Sequence, residues 1–479
     1  RYLDSFEMDR YAREQLMSGL QVDVNQGLES KRSAADPRQS DLYMLDTCVT
    51  GGPKGTETGV FYAVDFGGTN LRCVRTELKG DGKYELDQIS RDIREIPTKG
   101  NLPRGLMDKG ATATELFDHI ALMLLELMRR SQDDEKGTFY KVGFTFSFAI
   151  NQLGIDRAEA LSMSKGFETG QSTNDPVVRK GTDIVLLLNK ALLRNSVPAE
   201  AVAVLNDTTG TLIAGAYTRP QDYPDALVGV IIGTGMNICY VEPDARQYLY
   251  QGSVINTEAG ALKKGLPRNI VDHEVDDASS PMGAQLCEKM VSGLYLPEIC
   301  RRLILKVFQC DAPPLAWAHN SMTTHACMRI AYDETKELSD TRDALSMQLE
   351  WPEVKLTWEV LEICHNLCRA ACRRSAAIMS CLIATFAKRT GRLQPALGGV
   401  TVAIDGSVYT KNPEYQKDFR QELEKTVGKD LADLIKVTIA TDGSGAGAAI
   451  LAATPKASSE PGLDFSVPAE RLWQQKHND

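Results

Sequence analysis

Residues 61–74 read Phe-Tyr-Ala-Val-Asp-Phe-Gly-Gly-Thr-Asn-Leu-Arg-Cys-Val, an apolar strand, a polar glycine turn and a second strand. No other stretch limits the fold of this chain as tightly. β-Branched and aromatic residues flank the turn, and Gly67, Gly68 and Asn70 are the residue types that supply positive φ and bare backbone there. Backbone N–H groups in such a turn can come close to an anion. Asp65 stands just before it, where a carboxylate beside a phosphate is repulsive unless a cation lies between them; the spacing points to Mg²⁺ held through water. The turn runs into a strand and has no Lys-Ser/Thr pair opening a helix, so it is not a Walker loop. Read alone, the stretch also fits an ordinary β-hairpin.

A chain of 479 residues exceeds what one hydrophobic core supports, so two or three domains or lobes are expected. The formal charge of −10 disfavours nucleic acid and anionic membranes as general partners, while leaving room for a local basic site for a phosphate-bearing ligand. Eleven cysteines, an odd number and scattered, indicate reduced thiols in an intracellular, cytoplasmic setting. Cys364, His365, Cys368 and Cys372 lie about four apart along one helix, which spreads the thiols over successive turns and favours core packing over a metal site. No long uninterrupted apolar run of membrane-spanning length is present, so no integral membrane segment is expected. A homo-oligomer is compatible with the composition, and the sequence, which begins at Arg1, is silent on what precedes it.

Periodicity predicts a helix over 1–30, a loop over 30–40, and strands over 60–96 broken by the turn Lys79-Gly80-Asp81-Gly82-Lys83. An amphipathic helix with a Thr/Glu start follows at 114–130, a strand at 142–150, and a helix at 182–195. A buried strand at 201–206 ends in Asn206-Asp207-Thr208-Thr209-Gly210 and leads into a helix, which sets Asp207 at the edge of an α/β sheet, where ligands usually bind. The opening pattern returns at 227–241: strand, turn Gly233-Thr234-Gly235-Met236-Asn237, strand. Two such hairpins suggest a duplicated α/β unit. Helices dominate 281–424, one long apolar helix covering 358–388. Strands at 400–404 and 435–440 run into Asp405-Gly406-Ser407 and Thr441-Asp442-Gly443-Ser444-Gly445, the latter opening an alanine-rich helix over 446–453.

Together these segments resemble the hexokinase family of sugar kinases, within the fold group that includes actin and the Hsp70 ATPase domain. The resemblance covers about 55–455 through ordered motifs: 61–72 and 231–240 are similar to the two phosphate motifs, 143–148 and Ser164-Lys165-Gly166-Phe167 to the sugar-binding segment, and 205–210 to the catalytic-aspartate motif. Ile255-Asn256-Thr257-Glu258 and Gln285-Leu286-Cys287-Glu288-Lys289-Met290 look like the glutamate-bearing sugar segments, and 402–409 and 442–449 like the adenosine and C-terminal nucleotide segments. The resemblance implies an α/β, two-lobed actin-like ATPase (ribonuclease H-like) fold, duplicated, with a mainly helical insertion in the large lobe. The expected division is an N-terminal helical segment at 1–54, a small lobe at 55–205, a large lobe at 206–439, and a C-terminal helix plus tail at 440–479 that returns to the small lobe. ATP and sugar would lie in the cleft between lobes that close on them.

A hexose hydroxyl is a poor nucleophile, so a carboxylate should take its proton as the γ-phosphoryl group moves. Asp207 is the candidate, its alternative being a helix N-cap. Sugar hydroxyls both donate and accept, and Ser147, Ser164, Lys165, Asn206, Asp207, Asn237, Glu258 and Glu288 supply that mixture; Glu258 or Glu288 alone would read as a solvated charge. Lys165 is the second catalytic candidate, offsetting charge on the transferring phosphoryl group, with a plain surface lysine as its alternative. Around the phosphates stand Gly67, Gly68, Thr69, Asn70, Arg72, Gly233, Thr234 and Gly235; the alternative for Arg72 is half of a structural ion pair. Ser407, Gly443 and Ser444 complete the nucleotide set, and Asp65 and Asp207 would meet Mg²⁺ through water.

The chain departs from the family pattern at four places: Ala149 stands where Pro is common, Met163-Ser164 where Trp-Thr is common, Ala259 where Trp is common and Ala446 where a basic residue is common. The implied activity is transfer of a phosphoryl group from ATP to O6 of glucose or a related hexose, releasing ADP at the entry to glycolysis. Two rivals share the core: a sugar sensor that has lost transfer, and a chaperone or filament ATPase indifferent to sugar.

Overall fold

The computed structural model describes residues 2–33, 40–67, 70–96, 98, 100–135, 137–148, 150–161, 163 and 167–454. The chain divides into two compact units. One comprises the described parts of Leu45–Gly229, Val241–Asn256 and the chain from Ala440 onward; the other those of Arg1–Met44, Val230–Tyr240 and Thr257–Ile439.

In the first unit Thr58–Phe66 (β1), Asn70–Gly80 (β2), Lys83–Asp92 (β3), Tyr140–Phe146 (β4) and Ala199–Leu205 (β5) form a sheet in the order β3-β2-β1-β4-β5. The hairpin strands pair antiparallel, while β1, β4 and β5 run parallel. The strand expected over 142–150 stops at Phe146, because its neighbour β1 ends at Phe66 where the glycine turn begins; the last ladder bond is Ser147 N–H to Phe66 O, 3.0 Å. Ile150–Gly154 instead pairs with Arg157–Ala160 in a separate ribbon. Phe66, Phe146, Phe148 and Phe167 pack with ring centroids 5.0–5.6 Å apart, anchoring the end of β1 to the segments that follow β4. The helix Ala113–Arg130 begins with a capping box between Thr112 and Glu115 and buries Leu116, Phe117, Ile120, Leu124, Leu127 and Met128.

The helix Gly443–Ala453 also belongs to this unit, and glycine explains how closely it fits. A Cβ on Gly447 would lie 1.9 Å from the carbonyl oxygen of Gly210 in the helix Asp207–Thr218, and one on Gly143 of β4 would lie 2.0 Å from Ala448 O. Bare backbone is what lets this helix rest on the sheet and on the helix that carries Asp207.

A second sheet, centred on the second unit, has Ala226–Ile232 (β6, in that unit from Val230), Met236–Val241 (β7, in it to Tyr240), Val400–Asp405 (β8) and Ile435–Ile439 (β9) ordered β7-β6-β8-β9, with β8 and β9 parallel. This repeats the β2-β1-β4-β5 order of the first unit: the leading hairpin strand lies between its partner and the later strands. Between β7 and β8 the chain is mainly helical. Trp358–Arg389 has the length and composition to cross a membrane, but 89% of its most apolar stretch is buried inside the chain, so it is a core helix. Arg374 on it makes a buried bidentate pair with Asp272, at 2.6 and 2.7 Å. Cys368 and Cys372 on the same helix join Cys300 and Cys327 in a thiol cluster, with Cys300 and Cys327 Sγ atoms 3.4 Å apart. Among the described residues no group of His, Cys, Asp or Glu could hold a metal ion.

Candidate active site

Strand register alone aligns part of the expected site. Asp65 of β1 pairs with Thr145 of β4, and Thr145 with Leu205 of β5, so these three form one row across the carboxyl ends of three parallel strands. Gly67, Ser147 and Asp207 each lie two residues further along their own segment. At about 4.8 Å between neighbouring strands, the ends of β1 and β5 are roughly 10 Å apart. Parallel sheets bind ligands along this edge.

The helix Asp207–Thr218 starts at that edge. Asn206 is its N-cap: Thr208 N–H donates to Asn206 Oδ1 at 3.0 Å and Thr208 Oγ1 at 2.7 Å. Asp207 is therefore not the cap but the first helical residue, where the unsatisfied N–H groups of the helix favour an ionised carboxylate. Its Oδ1 accepts from Thr208 N–H at 2.8 Å.

At the first turn, a Cβ on Gly67 would meet Ser147 Oγ at 2.7 Å. Gly67 does not adopt the positive φ expected of it; space against Ser147 is what requires glycine there. Asn70 opens β2 in extended backbone rather than in a left-handed turn. Arg72, directly across the ladder from Asp65, donates Nε to Asp65 Oδ2 at 3.1 Å and pairs with the same oxygen through Nη2. Its Nη1 pairs with Asp442, and Nη2 also donates to Ser444 Oγ at 3.0 Å. Ser444 Oγ in turn donates to Asp65 Oδ2 at 2.7 Å, and Thr145 Oγ1 donates to Ser444 O at 2.8 Å. Two carboxylates thus converge on one guanidinium. Burial pushes the Asp442 carboxyl up from its ordinary value, against the pull of Arg72 and with the added push of Asp65.

The second unit carries the other set. Gly233 N–H donates to Gly235 O at 3.0 Å, closing the second turn, and Gly293 N–H donates to Gly233 O at 2.8 Å, bracing it. Gly406, at φ +104°, packs so closely on this turn that a Cβ would lie 2.4 Å from Ile232 C; it brings Ser407 beside Gly233. Met236 N–H donates to Glu288 Oε2 at 2.9 Å, and Asn237 Nδ2 donates to Glu258 Oε1 at 3.2 Å. Glu258 and Gln285, the latter opening the short helix that carries Glu288, both hold left-handed backbone at φ +54° and +53°. Such conformations in residues other than glycine mark places where the surroundings override local preference.

Of the residues expected at the site, Asp65, Gly67, Arg72, Ser147, Asn206, Asp207, Gly443 and Ser444 share the first unit with Asn70. Gly233, Thr234, Gly235, Asn237, Glu258, Glu288 and Ser407 share the second. Gly68, Thr69, Ser164 and Lys165 lie outside the described residues. Asp442 was not among the expected residues; its signal was the acidic residue at a strand-to-helix junction, the same grammar that singled out Asp207. For a divalent ion, Asp65 Oδ1 takes no part in the Arg72 network. One such carboxylate fits an ion that arrives on nucleotide phosphates and is touched through water, not one caged by protein.

Family models described as hexokinase match residues 1–217 and 227–454. The hexokinase of Plasmodium falciparum is 36% identical over 456 residues, covering 95% of this chain and 91% of its own length. That of Toxoplasma gondii is 40% identical over 424 residues, 87% of each. A hexokinase crystal structure superposes with a TM-score of 0.87 at 36% identity, covering 94% of this chain and 97% of the other. The Schistosoma mansoni hexokinase complexed with glucose gives 0.76 at 28%, with the same coverage. The architecture is the two-lobed, duplicated α/β fold of actin-like ATPases and sugar kinases, with its mainly helical insertion between β7 and β8.

Proposed function

This chain belongs to the hexokinase family, and on that premise we propose that it transfers the γ-phosphoryl group of ATP to O6 of a hexose, glucose before others, giving hexose 6-phosphate and ADP. It is an ATP-dependent hexokinase, a phosphotransferase with an alcohol as acceptor, and its reaction stands at the entry to glycolysis. The supporting observation is the row Asp65–Thr145–Leu205, which sets Asp207 on the same sheet edge as the first glycine turn.

Asp207 accepts the O6 proton as the bond to phosphorus forms, so that the oxygen attacks without developing positive charge. Ser147, Ser164, Lys165, Asn206, Asn237, Glu258 and Glu288 meet the sugar hydroxyls, each able to donate, accept or orient a partner that does. N–H groups of Gly67, Gly68, Gly233 and Gly235, with Thr69, Asn70, Arg72 and Thr234, receive the phosphate oxygens, and Lys165 offsets charge on the group in transit. Ser407, Gly443 and Ser444 border the nucleotide. Asp65 and Asp207 would hold Mg²⁺ through water, and the ion would neutralise charge on the terminal phosphates. The setting is reducing and cytoplasmic, a reading supported by eleven cysteines of which all are free thiols.

ADP release measured against a panel of hexoses tests activity and preference together. Asp207→Ala should cut turnover by at least ~10²-fold while leaving glucose affinity nearly intact. Near-normal turnover would remove Asp207 from the role of base, and glucose binding without any ADP release would favour a sensor.

A further inference from the structure

Arg72 reaches Asp65 by strand register, since the two face each other across the β1–β2 ladder. Its Nε and Nη2 both fall on the single oxygen Oδ2. A guanidinium forked onto two oxygens has its plane fixed, whereas one converging on a single atom keeps a pivot there. The far nitrogen, Nη1, is caught by Asp442, from the start of a helix 370 residues away in sequence. With Ser444 Oγ accepting from Nη2 at 3.0 Å beside Asp65, the Asp442 contact on Nη1 is the anchor at the opposite end of the group.

Ordinary structural roles do not account for Asp442. Its side chain does not cap the helix Gly443–Ala453 that it precedes, although it stands at the N-cap position. It holds left-handed backbone at φ +53°, a conformation that L side chains adopt only against a local energetic cost. Its Oδ2 is buried without a hydrogen-bond partner among the described residues, beside a second carboxylate. That acceptor carries an uncompensated desolvation cost that the ion pair with Arg72 has to offset.

We propose that Asp442 is a positioning residue for phosphoryl transfer: with Asp65 it fixes the plane of the Arg72 guanidinium at the first phosphate turn, acting through Arg72 and not on substrate. Asp65 is the pivot and Asp442 sets the angle. The inference deepens the kinase reading, because it rests on Arg72 meeting a nucleotide phosphate.

The test is a double-mutant cycle in the full chain, Asp442→Asn and Asp442→Ala each with and without Arg72→Gln. ATP and glucose are varied separately in steady-state kinetics, and Mg²⁺ with a non-hydrolysable ATP analogue is titrated calorimetrically. Asp442→Asn should lower kcat/KM for ATP about tenfold with glucose KM changed less than about twofold, and should have less than about a twofold effect once Arg72 is Gln. Equal losses on both backgrounds, parallel loss of glucose affinity, or no loss at all would overturn the proposal. Should Asp442→Ala fail to fold, the isosteric Asn variant carries the cycle. If the unsubstituted chain shows no hexose-dependent ADP release, the kinase reading fails, and the calorimetric cycle still decides this inference: non-additive losses of analogue affinity sustain it, additive ones refute it.

Discussion

Gly447→Ala sets two well-known effects against each other, and the structure decides the sign. Alanine in place of glycine inside a helix ordinarily stabilises by about 1 kcal/mol. Here the new Cβ would lie 1.9 Å from Gly210 O, 2.5 Å from its carbonyl carbon and 2.6 Å from its Cα, all of them backbone. A comfortable carbon–oxygen approach begins near ~3.3 Å, so the two helices would have to separate by roughly 1.4 Å. The same helix is also held close on its sheet side, where Ala448 O lies 2.0 Å from a Cβ placed on Gly143. Overpacking costs typically ~1–3 kcal/mol and more when no side chain can swing aside, so the net effect should be destabilisation of about 2 kcal/mol. Activity should fall with it, because the displaced helix carries Ser444, whose hydroxyl joins Asp65 and Arg72. The assay is the urea unfolding midpoint beside steady-state kinetics, with Gly51→Ala as control: a Cβ there has nothing within 4 Å, and stability should change by less than ~0.5 kcal/mol. A Gly447→Ala chain as stable as the parent would refute the packing argument.

Glu258→Gln weakens a charged acceptor beside Asn237 and should raise glucose KM about 10- to 100-fold, the range expected for hydrogen bonds worth ~1.5–3 kcal/mol, with ATP KM little changed; an unaltered glucose KM would count against the sugar assignment. Arg374→Met strands the buried Asp272 carboxylate and should destabilise by ~3–5 kcal/mol, whereas Arg374→Met combined with Asp272→Leu should recover much of the loss; denaturation midpoints of the two variants check this. Glu298 is buried, which alone would push its carboxyl up, but the hydrogen bond and charge of Arg301, with Asn320 N–H and Arg302, hold it below its ordinary 4.5. Its stabilising contribution is therefore complete above pH 4.5 and lost as pH falls through the lowered value. The stability gap between the parent and Glu298→Gln should narrow on acidification below pH 4.5; a gap independent of pH would contradict the assignment.

Local rules reached far into this chain. Apolar runs on either side of a glycine turn marked both hairpins, and a Thr/Glu start near 114 and the Asn206-Asp207 junction announced helix starts that the structure contains, the first capped by Thr112 and Glu115. The repeat of hairpin and later strands showed first as two similar glycine turns and then as a repeated strand order. The roles of individual residues inside those elements were less legible. The expected strand over 142–150 was too long because its end depends on where β1 stops, and Gly67 serves close approach to Ser147 rather than a turn with positive φ.

What the amino-acid order determined by itself is each element and the type of chemistry its end can offer, since helix and strand periods and caps depend on neighbours within a few residues. Tertiary structure alone decided which of those ends meet: Arg72 with Asp442, Glu288 with Met236, Gly447 with Gly210. Those pairings follow from strand register and backbone approach between distant segments, where sterics and desolvation act only after the chain has packed.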